Sequence, residues 1–156
     1  MYDIIGDIHG QAKELELLLE QLGYRRNGGS FTHETRQVIF LGDFIDRGDH
    51  QRGVLDIVRP MVDQRGAYAV MGNHEYNAIA YFTEKPEGGF LRDRSEKNAS
   101  QHEKFLAAFE SRPEEWREVI DWFKTLPLWL DLDADLNYYP IMGATPLVIG
   151  TLSAKN

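Results

Sequence analysis

Cysteine is absent from the chain. Its absence excludes disulfide frameworks, thiolate zinc sites and a cysteine nucleophile, and leaves any metal chemistry to oxygen and imidazole donors. Basic residues are also in short supply: 17 Lys and Arg stand against 25 Asp and Glu, a net charge of −8. A surface that tracks nucleic-acid phosphates needs a basic stripe, so a nucleic-acid partner is not expected. One phosphorylated group remains compatible with the acidic balance, because bound cations invert the local field around clustered carboxylates. Long apolar runs are missing, and no basic leader precedes the strand-like segment at Tyr2. Neither membrane spanning nor secretion is therefore expected, and the expected location is cytoplasmic. Histidine runs out early as well, with none after His102.

What is present is an ordinary globular composition, 42% hydrophobic and 27% charged over 156 residues, enough for one domain with a real core. Residues 2–6 read as a short strand. Leu15, Leu18, Leu19 and Leu22 form the stripe of a helix over 11–22, which Gly23 is suited to end. Asn27-Gly28-Gly29-Ser30 marks a turn, read as a small hairpin within 24–36. The apolar run 38–41 reads as a strand covered on both faces. A second helical stripe in Val54, Ile57, Val58 and Met61 contains Pro60, which predicts a kink or an early end. Residues 67–71 give a third strand and 76–82 a third helix, followed by a mobile polar excursion over 83–100. Helices over 101–110 and 113–126 and a strand at 128–130 complete the assignments. Strand–helix units in succession predict an α/β fold with a largely parallel sheet.

Three segments carry the chemistry. Gly6-Asp7-Ile8-His9-Gly10, Gly42-Asp43-Phe44-Ile45-Asp46-Arg47-Gly48 and Gly72-Asn73-His74-Glu75 each follow an apolar strand. Alone, each has a plainer reading as a turn, a salt-bridged loop or a helix cap. Together they lie 36 and 30 residues apart (Asp7 to Asp43, Asp43 to Asn73), the length of a βαβ step. Ligands in open α/β sheets bind beyond the carboxyl ends of the strands, where these segments would converge. Asp7 and His9, two apart on an extended chain, would face one cation together. Asp43 has two oxygens with which to bridge two cations, and two such ions suit in-line phosphoester cleavage. Arg47 offers a forked donor set for phosphate oxygens. His74, oriented by Asp46, would protonate the leaving group.

These three motifs resemble those of the calcineurin-like metallophosphoesterases, in the branch with phosphoprotein phosphatases and bacterial diadenosine tetraphosphatases. The likeness covers residues 1–80 strongly and 122–132 more weakly. It implies an αββα sandwich and a metal-dependent phosphoester hydrolase with a dinuclear centre and a metal-bound hydroxide. Asp7 and His9 would hold the first metal, Asp43 would bridge, and Asn73 would hold the second. His74, Asp46 and Arg47 would be catalytic. The cofactors implied are two divalent ions, manganese first, with iron, zinc or magnesium as alternatives. The substrate would be a phosphoprotein, a dinucleoside polyphosphate or a small phosphoester.

The family also draws histidines from its second half, and this chain has none there. Residues 1–132 are accordingly read as a partial domain, with an incomplete second sheet, and 133–156 as an atypical tail. The alternative reading is a truncated or inactive remnant that binds metal weakly and serves at most a binding role. His33 and His50 read as surface residues and His102 as a solvated helix residue. The Asp131, Asp133, Asp135 run lacks the glycine and glutamate of a calcium loop. A bare sheet edge would be patched by 128–130, by 147–149 or by a second copy of the chain, so self-association is expected.

Overall fold

A computed structural model describes residues 1–130, 141–142 and 150–152. Strand β1 (Tyr2–Ile5) leads to helix α1 (Ala12–Gln21), then to β2 (Arg25–Asn27) and β3 (Ser30–Thr32). Strand β4 (Gln37–Phe40), helix α2 (Gln51–Asp63), strand β5 (Ala67–Ala69) and helix α3 (Asn73–Phe82) follow. Helices α4 (Glu96–Gln101), α5 (Glu103–Phe109) and α6 (Pro113–Thr125) precede the short strands β6 (Trp129–Leu130), β7 (Ile141–Met142) and β8 (Gly150–Leu152).

The principal sheet has the order β5-β4-β1-β8. Strands β1, β4 and β5 are parallel, with Ile5 opposite Phe40 and Phe40 opposite Ala69. Val38, Ile39 and Phe40 are all fully buried, so β4 is covered on both faces as its unbroken apolar run predicts. Strand β8 pairs antiparallel with β1, Tyr2 opposite Leu152, so a piece of the 133–156 tail closes that edge. Residues 147–149, named above for that role, lie outside the described residues, as does the Asp131–Asp135 run. Strands β2 and β3 pair antiparallel as the expected hairpin, Arg26 opposite Phe31, and β6 pairs with β7 in a further two-stranded sheet; these are the sheets besides the principal one among the described residues. No helix among the described residues is long and apolar enough to cross a membrane.

Helix α1 ends as its sequence predicts. Gly23 takes φ +94°, its N–H bonds to Glu20 O at 3.0 Å, and Tyr24 N–H bonds to Leu19 O at 2.9 Å. This doubled closure brings Leu19 and Tyr24, both fully buried, into the core beside one another. The early end foreseen at Pro60 does not occur, since α2 runs on to Asp63. Val58 and Met61 on either side of it are fully buried, and their burial outweighs the one backbone bond that proline forfeits. Helix α3 begins at Asn73 rather than at residue 76, because Gly72 caps it and Glu75 accepts the Gly72 N–H at 3.0 Å.

The polar excursion over 83–100 is locally folded. Glu84 bridges Phe90, and Ser95 caps α4 by accepting the Asn98 N–H. Arg94 lies 3.3 Å from the Phe90 ring centroid and 4.9 Å from that of Tyr81. Arg92 donates to Asn98 and Gln101. Two arginines thus supply the order that an apolar core would supply elsewhere. Helix α6 packs on α3, with Trp116 stacked on Phe82 and with Val119, Ile120 and Phe123 buried.

Candidate metal centre

The first two segments turn through conformations that side chains resist. Asp7, His9, Asp43, Asp46 and Arg47 all have φ between 45° and 70°. Such left-handed residues cost about 1–2 kcal/mol each outside glycine and persist where the surroundings enforce them. Here the surroundings are the other loops. His9 N–H bonds to Asp43 O at 2.8 Å, Gly10 N–H to Phe44 O at 2.9 Å, and Gly48 N–H back to His9 O at 2.9 Å. The extended geometry by which Asp7 and His9 were expected to share a face is therefore not the one adopted.

His9, Asp43 and His74 come together. Each offers one ligand atom, all within 4.8 Å of one another, and all three residues are buried. The His9 Nδ1 lies 2.9 Å from the Ile45 carbonyl, so it carries the proton and leaves Nε2 for a ligand. Asp43 Oδ1 accepts the His74 N–H at 3.0 Å at the start of α3, where the helix dipole favours negative charge. The His9 and His74 rings meet edge to face, with centroids 4.6 Å apart. Asp7, half-buried, lies two residues before His9, and Asn73 is exposed at the first position of α3. The Asp43 carboxylate and the His9 imidazole of this buried cluster are donors that suit a divalent transition metal, with the His74 ring beside them.

Asp46 is fully buried and takes the His74 Nδ1 on Oδ2 at 2.7 Å. Burial raises its pKa, but the bonds from His102 and His74 outweigh that and hold it below the ordinary carboxylate value. For His74, burial disfavours charge, yet the bond to Asp46 and the charges of Asp43, Asp46 and Glu75 prevail, and its pKa is raised. Arg47, exposed, lines an open cavity of about 490 Å³ together with Asp46, His74, Ser100, Gln101 and Lys104.

Three further residues shape the site without having been singled out from sequence. Gln51, buried, accepts the Asp46 N–H at 2.7 Å and donates to Asp46 O and Gly48 O, clamping the left-handed turn that carries Arg47. Glu75, fully buried, accepts the N–H groups of Asp43, Phe44 and Gly72 at 2.7, 2.8 and 3.0 Å, tying the second and third segments together. Burial first, then the Asp43 charge, push its pKa up to about 7 against those three bonds. His102 is not solvated as expected: it is fully buried against Asp46. Its i+3 and i+7 neighbours Phe105 and Phe109 are both buried, so the signal was an apolar stripe with a histidine in it. His50 is exposed as expected, whereas His33 is half-buried against the Tyr24 ring, with centroids 5.2 Å apart.

Comparison with known families matches residues 2–152 to the calcineurin-like phosphoesterases. The chain belongs to that family. A bis(5'-nucleosyl)-tetraphosphatase PrpE [asymmetrical] from Oceanobacillus iheyensis is 32% identical over 131 residues, covering 83% of this chain and 51% of that protein. Its counterpart from Halalkalibacterium halodurans is 46% identical over 74 residues, 47% of this chain and 30% of that one. The chain thus spans about half, or less, of the length of the curated relatives it matches. Among solved structures, a protein serine/threonine phosphatase from Saccharomyces cerevisiae aligns with a TM-score of 0.56 at 18% identity, covering 82% of this chain and 33% of that one. A metallophosphoesterase from Sphaerobacter thermophilus aligns with a TM-score of 0.52 at 21% identity, covering 86% and 43%. These likenesses establish the metallophosphoesterase fold, with α/β layers as expected.

Proposed function

We propose that this chain carries the active-site half of a phosphoester hydrolase, with residues 1–132 as the domain that holds the site. The observation that carries the reading is the convergence of His9, Asp43 and His74 at the carboxyl ends of three parallel strands. His9 through Nε2 and Asp43 through its carboxylate would hold a divalent cation, with Asp7 and Asn73 extending the donor set to a second and manganese the first candidate. Cations bound there supply Lewis acidity and water activated near neutral pH. The protein's own share is positional. Arg47 receives non-bridging phosphate oxygens from the open cavity. His74, its Nδ1 committed to Asp46, keeps Nε2 for the proton that the leaving oxygen needs. The substrate class that the curated relatives' names suggest is a dinucleoside polyphosphate.

The second reading, a remnant that binds one cation without turnover, is favoured by the absence of histidine after His102. Elemental analysis after manganese loading and gel filtration, with turnover of diadenosine tetraphosphate and of bis(p-nitrophenyl) phosphate, separates the two. The hydrolase reading expects two metal equivalents, and turnover lost in Asp43→Asn. One equivalent or none, with no turnover, leaves the remnant reading.

A further inference from the structure

Asp46 has a second imidazole behind it. His102 sits where α4 passes into α5, fully buried, its Nδ1 3.1 Å from Asp46 Oδ1 and 3.0 Å from Oδ2. A carboxylate only accepts, so both His102 and His74 present Nδ1–H to it. The His102 Nε2 is buried with no hydrogen-bond partner among the described residues. With Nδ1–H given to Asp46, the buried nitrogen left over at Nε2 is an unmet hydrogen-bonding group in the core. The ring also packs edge-on against Tyr81, with centroids 5.3 Å apart, a contact that an apolar side chain would make without stranding a nitrogen. The purpose of the imidazole must therefore lie at Nδ1.

We propose that His102 is a positioning residue of this site: its Nδ1–H fixes the rotation of the Asp46 carboxylate, and Asp46 in turn fixes His74. The α4–α5 segment thereby becomes part of the active site although it contributes no ligand. The two imidazoles are the side-chain partners of the Asp46 carboxylate among the described residues, His74 on Oδ2 and His102 astride Oδ1 and Oδ2. Removing one leaves the carboxylate free to turn away from the other. The inference rests on His74 serving phosphoester hydrolysis, and its test contains an arm that does not.

In the metal-free folded protein, the downfield proton resonance of His74 Nδ1–H reports the His74–Asp46 bond directly. His102→Leu should accelerate its exchange with water at least ten-fold or erase it. His102→Asn, whose amide nitrogen takes the place of Nδ1, should retain it. With manganese and bis(p-nitrophenyl) phosphate, His102→Leu should lower kcat roughly ten-fold at unchanged KM, a fraction of what a general acid contributes. His102→Asn should recover most of that, and adding His102→Leu to Asp46→Asn should cost nothing more. Should His102→Leu fail to fold, His102→Gln, whose amide matches Nε2 instead, takes its place. A folded His102→Leu that keeps the resonance overturns the proposal, as do losses that add fully in the double variant. A wild-type chain that shows the resonance but hydrolyses nothing defeats the hydrolase reading alone.

Discussion

Gly42→Ala should cost the metal-free protein far more than Gly28→Ala, although both glycines have positive φ, +84° and +57°. At Gly28 nothing lies within 4 Å of an added Cβ. The penalty there is conformational, about 1 kcal/mol, and partly offset by the stiffer unfolded chain. At Gly42 the added Cβ would stand 2.1 Å from Gly72 N and 2.5 Å from Gly72 Cα, both backbone. Ordinary contact begins at 3.4 Å, so the second and third segments would have to part by about 1.3 Å, the difference between 3.4 and 2.1 Å. The Glu75 Oε2 that now receives Asp43 N–H at 2.7 Å and Gly72 N–H at 3.0 Å cannot follow both. Overpacking adds about 1–3 kcal/mol and one buried donor left unpaired a similar amount, giving about 4 kcal/mol for Gly42→Ala. At about 2–4 °C per kcal/mol for a chain of this size, the two variants should melt about 6–12 °C apart by circular dichroism. The same displacement moves Asp43 from His74 and should weaken manganese binding by about ten-fold or more in calorimetry. Melting temperatures within about 2 °C of one another would refute the close approach on which the site's geometry depends.

Two further outcomes follow from charge and from the sheet edge. Glu75 and His74 both hold their protons more tightly in the folded chain than at their ordinary values of 4.5 and 6.5. Their stabilisation is complete below those values and is lost as pH rises through about 7 for Glu75 and above 6.5 for His74. The metal-free protein should therefore melt higher at pH 5.5 than at pH 8, with a shallower slope in Asp46→Asn, and a higher melt at pH 8 would contradict the assignment. Leu128 and Trp129 are exposed at the two-stranded β6–β7 sheet, and light scattering should show self-association. A sharp monomer peak together with a cooperative high-temperature melt would count against it.

How much of this was legible in the sequence depended on how local each cause is. Helices α1 and α6 declared themselves, because their buried faces repeat every three to four residues and their ends carry Gly23 and Pro113. The three glycine-bracketed segments were legible because apolar runs precede them at βαβ spacing. What stayed hidden was non-local. Nothing in Gln51 announces that its amide clamps the backbone of residues 46 and 48, and a surface glutamine would look the same. Glu75 stood in view within its motif, yet its three backbone donors come from two different loops. The 83–100 segment has the composition of a solvated loop, and only the fold brings Arg94 to Phe90 and Tyr81. His102 was misjudged for the complementary reason: its charge type suggested solvent, whereas its helical phase with Phe105 and Phe109 suggested core.

The left-handed backbone of the site bears on whether these three segments can hold a useful geometry by themselves. Five non-glycine residues at positive φ, Asp7, His9, Asp43, Asp46 and Arg47, would at about 1–2 kcal/mol each collapse into ordinary turns if nothing opposed them. The opposing contacts named above, from His9 to Asp43, Gly10 to Phe44, Gly48 to His9, and through Gln51 and Glu75, all arise between residues 9 and 75. From further along the chain, His102 supports Asp46 and Pro127 O accepts the Met71 N–H at 2.8 Å just before the third segment. None of these contacts involves the tail. The His9–Asp43–His74 cluster is therefore organised by the same segments that supply it, and any ligand added by a tail, a second copy or a longer chain would complete a site already held in place.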